Sequence, residues 1–163
     1  LASTASAYVR GGTYAKQNFG SDPALIVKKH SDPTSSRESF ITFDLGSIST
    51  INSATLRLFG SLNDTSSTSV QTQVFGADGA VWNENTLTWN TRPATTTASL
   101  ATAIVTGTTQ QWYSFDVTSF LKNEKAAGRS NITFVLRNPT QQNALVVFNS
   151  DDAATNQPQL VVA

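Results

Sequence analysis

Basic side chains recur in several short stretches in which polar and apolar residues alternate. Arg10, Lys28, Arg57 and Arg137 each stand at the position opposite to the apolar residues of their stretch. Because successive side chains of a β-strand point to opposite faces, these four would occupy the outward row of a sheet whose other face is buried. The planar guanidinium group suits two-point binding of a carboxylate or a sulfate. The pattern therefore indicates anion binding on the face of a sheet.

Four further polar residues would extend this row or complete its contacts. Lys29 and Arg37 stand at strand ends, where they would lengthen the cationic track, and Asn138 and Asn149 could exchange hydrogen bonds with hydroxyl groups. The alternation does not show whether the basic residues share one sheet or are divided between two. Unrelated surface charges, whose stems cover apolar area, are therefore the alternative interpretation.

The elements that would position these residues are mainly strands. Residues 37–60 predict two neighbouring strands, the first ending near Leu45 and the second running from about Ile51 to Phe59. Similar stretches, separated by turn residues, bring the total to about ten short strands. One short helix is expected after Asp116, capped by Asp116 or Thr118 and ended by Gly128. We expect an all-β fold, an antiparallel β-sandwich of jelly-roll type with one short helix, formed as a single domain by residues 1–163.

The composition excludes several classes of function. The 163 residues include no cysteine, so disulfides, thiolate zinc sites and cysteine nucleophiles are absent. Eleven basic and eleven acidic side chains balance to a formal charge of zero, so nothing global attracts nucleic acid or an anionic membrane. No long apolar run predicts a transmembrane helix. A polar surface with few charges is typical of secreted modules, and we expect an extracellular protein.

Aromatic residues offer a second kind of contact. Trp82, Trp89 and Trp112 could stack on sugar rings. The alternative, which we favour, is that Trp82 and Trp89 hold the long loop between residues 80 and 93 against the core, because tryptophan is usually well buried.

Catalytic and metal chemistry have weaker support. The single histidine, His30, lies in a polar loop, and a β-elimination site would need it or Tyr14 beside Arg37. No pair of carboxylates has the context of a glycosidase. No cofactor is required, although loop oxygens could hold a structural calcium ion without any EF-hand spacing. The candidate calcium ligands are Asp22, Asp32, Asp151 and Asp152.

Several blocks along the whole chain resemble one known family. These blocks are YVRGGTYAKQNFG, LIVKK, RESFITFDL, SATLRLF, WNENTLTWNTRP, FDVTSFL, FVLRN and FNSDDA. They occur in the order seen in DNRLRE domains, which are also counted as carbohydrate-binding module family 96. The resemblance implies a β-jelly-roll module appended to secreted bacterial polysaccharide-degrading enzymes, some members of which bind alginate. Many relatives have an acidic residue where this chain has Ser6, so a metal site or salt bridge formed by that acid would be missing here.

Together, the residues and the resemblance predict a non-catalytic module for an acidic polysaccharide, with alginate as the expected ligand. It would act as a monomer appended to a catalytic domain such as a polysaccharide lyase, without nucleic-acid or membrane partners. Two alternatives stay open at this point. A small jelly-roll lyase would cleave its ligand, and a structural or adhesive spacer module would not bind one.

Overall fold

The protein folds almost entirely into β-strands. A computed structural model describes all 163 residues and contains ten strands and one α-helix, as the sequence predicts. The strands are β1 (Ala5–Arg10), β2 (Ala24–Val27), β3 (Arg37–Asp44), β4 (Ala54–Leu62), β5 (Ser69–Gly76), β6 (Ala101–Thr106), β7 (Gln111–Asp116), β8 (Asn131–Arg137), β9 (Val146–Asn149) and β10 (Gln159–Val162). The helix α1 spans Thr118–Ala126, and 3₁₀ turns lie at Gly12–Tyr14 and Pro33–Ser35.

The strands form two antiparallel sheets packed as a sandwich, which confirms the expected jelly-roll-like fold. The first sheet has the order β1-β3-β8-β5-β6, and the second has the order β10-β4-β9-β2, with β7 paired to β4. Strands β3 and β4 follow one another in sequence but belong to different sheets. The prediction that they display their basic residues from one sheet is therefore wrong, because the connection between them crosses the sandwich.

The core lies between the two sheets and consists of the inward row of each strand. Phe43 and Phe134 from the first sheet meet edge to face with ring centroids 6.1 Å apart, and Phe115 and Phe148 from the second sheet are fully buried. Complete burial of such a side chain contributes about 1.5–3 kcal/mol relative to exposure. This layer holds the two sheets together.

Helix α1 begins after Asp116 as expected, but the residue at its N-cap is Val117, which makes no side-chain capping bond, so the prediction that Asp116 or Thr118 occupies the cap is wrong. The Asp116 Oδ1 atom accepts a hydrogen bond of 2.9 Å from the backbone N–H of Thr118, and Gly128 follows the helix with a φ of 75°. That left-handed conformation favours glycine, so the predicted end of the helix is explained. None of the helices in this protein is long and apolar enough to cross a membrane.

A long connection between β5 and β6 covers the outer face of the first sheet. We call residues 77–100 the covering segment. Its residues Trp82, Leu87 and Trp89 pack with Phe40 and Val135, which point outward from β3 and β8. The Trp82 Nε1–H donates a 3.1 Å hydrogen bond to Thr133 Oγ1. The expected role of Trp82 and Trp89 in holding this loop on the sheet is confirmed, and both faces of β3 are buried as a result.

Candidate functional site

Five of the predicted basic residues meet at one end of the sandwich. Arg10 at the end of β1 lies directly opposite Arg37 at the start of β3. Lys28, just after β2, exchanges backbone hydrogen bonds of 3.0 and 2.9 Å with Arg37, and Lys29 follows it. Arg137 ends β8, the other neighbour of β3. Strand ends from both sheets therefore form the cluster, and the straight row expected along one sheet face is not present.

Arg57 and Asn149 lie away from this cluster, in the second sheet. The Arg57 guanidinium stacks over the Trp112 ring at 4.5 Å and donates a 3.1 Å bond to Gln159. The Asn149 side chain donates to the backbone oxygen of Thr155 at 2.9 Å. The expectation that Arg57 and Asn149 lie on one sheet face with the remaining site residues is wrong. Alternation along a strand indicates which side of the strand a residue occupies, but it does not indicate the sheet to which the strand belongs.

Asn138 reaches the cluster but has structural contacts there. It is only 7% exposed, its Nδ2 group donates to the Val27 carbonyl at 3.2 Å, and its Oδ1 accepts from Thr72 at 3.4 Å. A buried amide must be satisfied, and these bonds satisfy it. Its geometry therefore indicates that Asn138 ties the end of β8 to β2.

Four of the clustered cations have no acidic partner. Lys28 donates to the backbone oxygens of Gln142 and Asn143, and Lys29 donates to Pro139 O at 3.2 Å. Arg37 donates to Ser35 O at 2.8 Å, and Arg10 donates to Thr34 O at 2.7 Å. None of the four takes part in an ion pair. Carbonyl oxygens therefore fix the positions of these cations without an ion pair to any carboxylate.

The pKa directions agree with an excess of positive charge. Burial, followed by the nearby Arg37 charge, lowers the pKa of Lys28 below its usual value of 10.5. Burial, followed by the Arg10 charge, lowers the pKa of Arg37. The Arg37 Nε atom is buried without a hydrogen-bond acceptor. Like charges held together and partly desolvated disfavour their own ionisation, and a bound anion would relieve this cost.

Glu38 balances a second pair of arginines on the other side of β3. Its carboxylate lies 3.0 Å from Arg137 Nε and 3.2 Å from Arg92 Nε. Arg92 belongs to the covering segment, and its guanidinium stacks on the Trp89 ring at 3.8 Å. The prediction from sequence missed Glu38, Arg92 and the position of Trp89. A usable signal was the Trp-Asn-Thr-Arg run itself, in which a cation follows an aromatic ring by three residues.

Two adjoining pockets open among these side chains, and together we call them the basic cleft. The cationic pocket has a volume of about 320 Å³ and is lined by Lys28, Lys29, His30, Ser36, Arg37, Glu38, Trp89, Arg137 and Asn138. The paired pocket has a volume of about 270 Å³ and is lined by Trp89, Asn90, Arg92, Pro93, Ala94, Thr95 and Arg137. A larger pocket lies along β10, but it is lined by only uncharged side chains and contains none of the predicted site residues. The basic cleft is therefore the candidate site.

Of the two candidate bases for elimination, one lines the cleft. His30 lines the cationic pocket, and its Nδ1 accepts a 3.0 Å bond from the Asp32 N–H. Tyr14 lies under the Arg10 guanidinium at 3.8 Å and does not line either pocket of the cleft. The cleft thus contains His30 beside Arg37, which is one of the two base and arginine combinations considered for elimination.

Carboxylates gather at a separate place. Glu84, Asp151 and Asp152 have oxygen atoms within 4.8 Å of one another, and none of them forms an ion pair. Ser6 contacts this group through a 2.8 Å bond from its N–H to Glu84 and a 2.5 Å bond from its hydroxyl to Asp151. Carboxylate oxygens are the donor type that calcium prefers. Of the four candidate ligands predicted from sequence, Asp22 and Asp32 are not part of this group, and the calcium ion itself stays a prediction.

Comparison with known proteins identifies the family of this chain. The model of carbohydrate-binding module family 96 matches residues 1–163. The chain belongs to this family. It is also 31% identical to a gellan lyase from Bacillus sp. over 98 residues, which are 60% of this chain and 4% of that protein. The module thus spans a very small part of the length of this curated relative.

Proposed function

We propose that this family 96 module binds an acidic polysaccharide in the basic cleft and does not cleave it. The supporting observation is the set of three cations that line this cleft, Lys28, Lys29 and Arg37, which form no ion pair and are positioned by backbone carbonyls. Arg10 also forms no ion pair, but it lies outside the lining of the cleft. Binding of a neutral glycan would not require these positive charges. Uronate carboxylates would find fixed donors, and the adjoining Trp89 ring offers an apolar surface for a sugar.

We infer that the ligand is a uronate polymer, and two such polymers are the leading candidates. Alginate is favoured by the resemblance described above, since some family members bind it. Gellan is favoured by the related lyase, whose name states its substrate. Each exposed ionic contact contributes about 1 kcal/mol or less, so the affinity would come from several contacts acting together. Dissociation constants near about 1 μM and weaker binding at high salt are expected.

The proposal extends to the protein in which the module occurs. A binding module in a polysaccharide-degrading enzyme would keep a catalytic domain close to its insoluble or dilute substrate by raising its local concentration. We propose that this module is appended to such an enzyme, a polysaccharide lyase being the expected kind, outside the cell. We propose that it acts as a monomer, since the residues that line the basic cleft come from one chain and the cleft needs no second copy to be complete.

Titration calorimetry with alginate and gellan oligosaccharides tests the proposal, with a neutral glucan as comparator. We expect heat of binding with at least one uronate polymer, a fall in affinity at high salt, and no heat with the glucan. Ultraviolet absorbance of unsaturated uronate product is followed in the same samples. Growth of that absorbance would establish a lyase and direct attention to His30, whereas no heat with either uronate polymer would favour a spacer module.

Replacement of Lys28 by glutamine tests whether the ligand binds in the basic cleft. Arg57→Gln is the matched control, because it removes the same single charge from a guanidinium on the other sheet that also has no acidic partner. Weaker binding in Lys28→Gln together with unchanged binding in Arg57→Gln is the expected result. Equal loss in both variants would indicate attraction by overall charge and would contradict a cleft.

A further inference from the structure

The two ring nitrogens of His30, which lines the cationic pocket, have different surroundings. Nδ1 accepts a 3.0 Å hydrogen bond from the backbone N–H of Asp32, two residues further along the same loop. A backbone N–H can only donate, so Nδ1 must be the nitrogen that carries no proton. The neutral imidazole therefore carries its proton on Nε2.

The loop holds this ring in place through Ser36, which lines the same pocket. The Ser36 hydroxyl accepts a 3.1 Å bond from the His30 N–H and donates a 3.0 Å bond to the His30 carbonyl. Both backbone groups of His30 and its Nδ1 atom are thus bonded within residues 30–36. The Nε2–H group is left as the polar group of His30 that has no partner in the protein, and the ring edge that carries it is the polar edge that can face the pocket.

The same arrangement decides whether His30 is suited to act as a base. A general base must accept a proton through a free lone pair. The neutral ring has one such lone pair, on Nδ1, and the Asp32 N–H occupies it. Proton abstraction by His30 would first have to break this bond, so the ring is arranged to donate a hydrogen bond to a ligand and not to remove a proton from it.

We propose that His30 contacts the glycan as a neutral hydrogen-bond donor, with Nε2–H bound to a hydroxyl oxygen of the uronate in the cationic pocket. The carboxylate of that sugar is held by the cations beside the ring, because charged donors gain most from a charged acceptor. A neutral donor suits the neighbouring hydroxyl. The pocket, with a volume of about 320 Å³, would thus recognise the charge and one hydroxyl of the same sugar. This inference rests on the proposed function, since it assumes that the cleft is the glycan site.

Nitrogen NMR of the imidazole tests the tautomer in the free protein and the contact in the complex. The chain has a single histidine, so each ring nitrogen gives one signal. At about pH 8, where an ordinary imidazole is neutral, we expect a protonated Nε2 and an unprotonated Nδ1. Addition of alginate or gellan oligosaccharides should change the Nε2 signal more than the Nδ1 signal. A proton on Nδ1, or a mixture of both tautomers, would overturn the inference without any ligand.

Two variants separate the two nitrogens in calorimetry with the same oligosaccharides. Asparagine places a side-chain oxygen near the position of Nδ1 and no group near Nε2, whereas glutamine places its amide nitrogen near Nε2 and loses the bond to Asp32. We expect His30→Asn to bind about tenfold more weakly than the wild-type protein, with a similar melting temperature. We expect His30→Gln to keep its affinity within about threefold of the wild-type value.

The outcomes separate this inference from the proposed function. If neither oligosaccharide binds the wild-type protein, the proposed function fails, and the contact with His30 fails with it. If they bind but His30→Asn binds as tightly as the wild-type protein, or no more weakly than His30→Gln, the donor role is refuted while the binding module stands. Cleavage of either oligosaccharide that is lost in both variants would make His30 a base and would also refute that role. Circular dichroism establishes that each variant is folded, and the Nε2 signal of the wild-type protein decides the matter where a variant is not.

Discussion

Replacement of Arg37 by glutamine should weaken ligand binding and at the same time leave the fold intact or more stable. Arg37 is half-buried, its Nε atom has no acceptor, and burial followed by the charge of Arg10 lowers its pKa. A lowered pKa of a base means that the folded state disfavours the charge, so removal of that charge relieves strain in the free protein. The same charge is what a bound carboxylate would use. Binding and stability are therefore expected to respond in opposite directions.

The magnitude follows from the contacts. A charge-assisted hydrogen bond contributes about 1.5–3 kcal/mol when its donor is partly desolvated, and about 1 kcal/mol or less when it is fully exposed. Arg37 lies between these cases, so a loss of about 1.4 kcal/mol, or tenfold in affinity, is expected. The variant loses one structural bond, from Arg37 NH1 to Ser35 O at 2.8 Å, which is worth about 1 kcal/mol and offsets part of the gain in stability.

Calorimetry with the uronate oligosaccharide that binds best measures the first effect, and thermal unfolding without ligand measures the second. Arg57→Gln serves as the control, since it removes an equal charge from the opposite sheet. The reasoning is refuted if Arg37→Gln binds as tightly as the wild-type protein or loses no more affinity than the control. A fall in melting temperature of several degrees would instead show that Arg37 mainly supports the fold.

Three further predictions concern titration and packing. Because burial and Arg37 lower the pKa of Lys28, uronate binding should weaken as the pH rises toward 10.5, and Lys28→Arg should remove that dependence in calorimetry. Burial raises the pKa of the Glu84 carboxyl above its usual value of 4.5. Between the two pKa values the folded state binds more protons than the unfolded state, so the free energy of unfolding falls as the pH rises through the raised pKa. Glu84→Gln should therefore raise the melting temperature at pH 7 in the presence of a chelator, and an unchanged value would contradict the pKa direction. Gly60→Ala should cost about 1–3 kcal/mol in denaturant unfolding, because a Cβ there would lie 2.1 Å from Val147 O, whereas a Cβ at Gly46 would lie 3.1 Å from the side chain of Asp44, so Gly46→Ala should cost less.

Calcium offers a separate check on the carboxylate group at Glu84, Asp151 and Asp152. If the group holds the predicted ion, added calcium should raise the melting temperature of the wild-type protein and a chelator should lower it. An unchanged melting temperature in both conditions would remove the calcium prediction.

The sequence by itself determined the class of fold and most of its elements. Alternation of apolar residues along β3, β4 and β8 predicts strands because one face of each must be buried, and Asp116 and Gly128 mark the ends of the helix for local reasons. The same alternation identifies the basic residues as candidates for a binding site. Local patterning is sufficient for such features because they depend on neighbours in the chain.

Only the tertiary structure decided which of these candidates lie together. Arg57 has the same alternation as Arg137 but belongs to the other sheet, and Glu38 gained its importance from Arg92, which lies 54 residues away on the covering segment. No local pattern contains that information, because sheet membership depends on where the chain crosses the sandwich and on how a long loop folds back over it. The basic cleft, in which Glu38 meets Arg92 and Arg137 beside Lys28, Lys29 and Arg37, arises from this long-range arrangement.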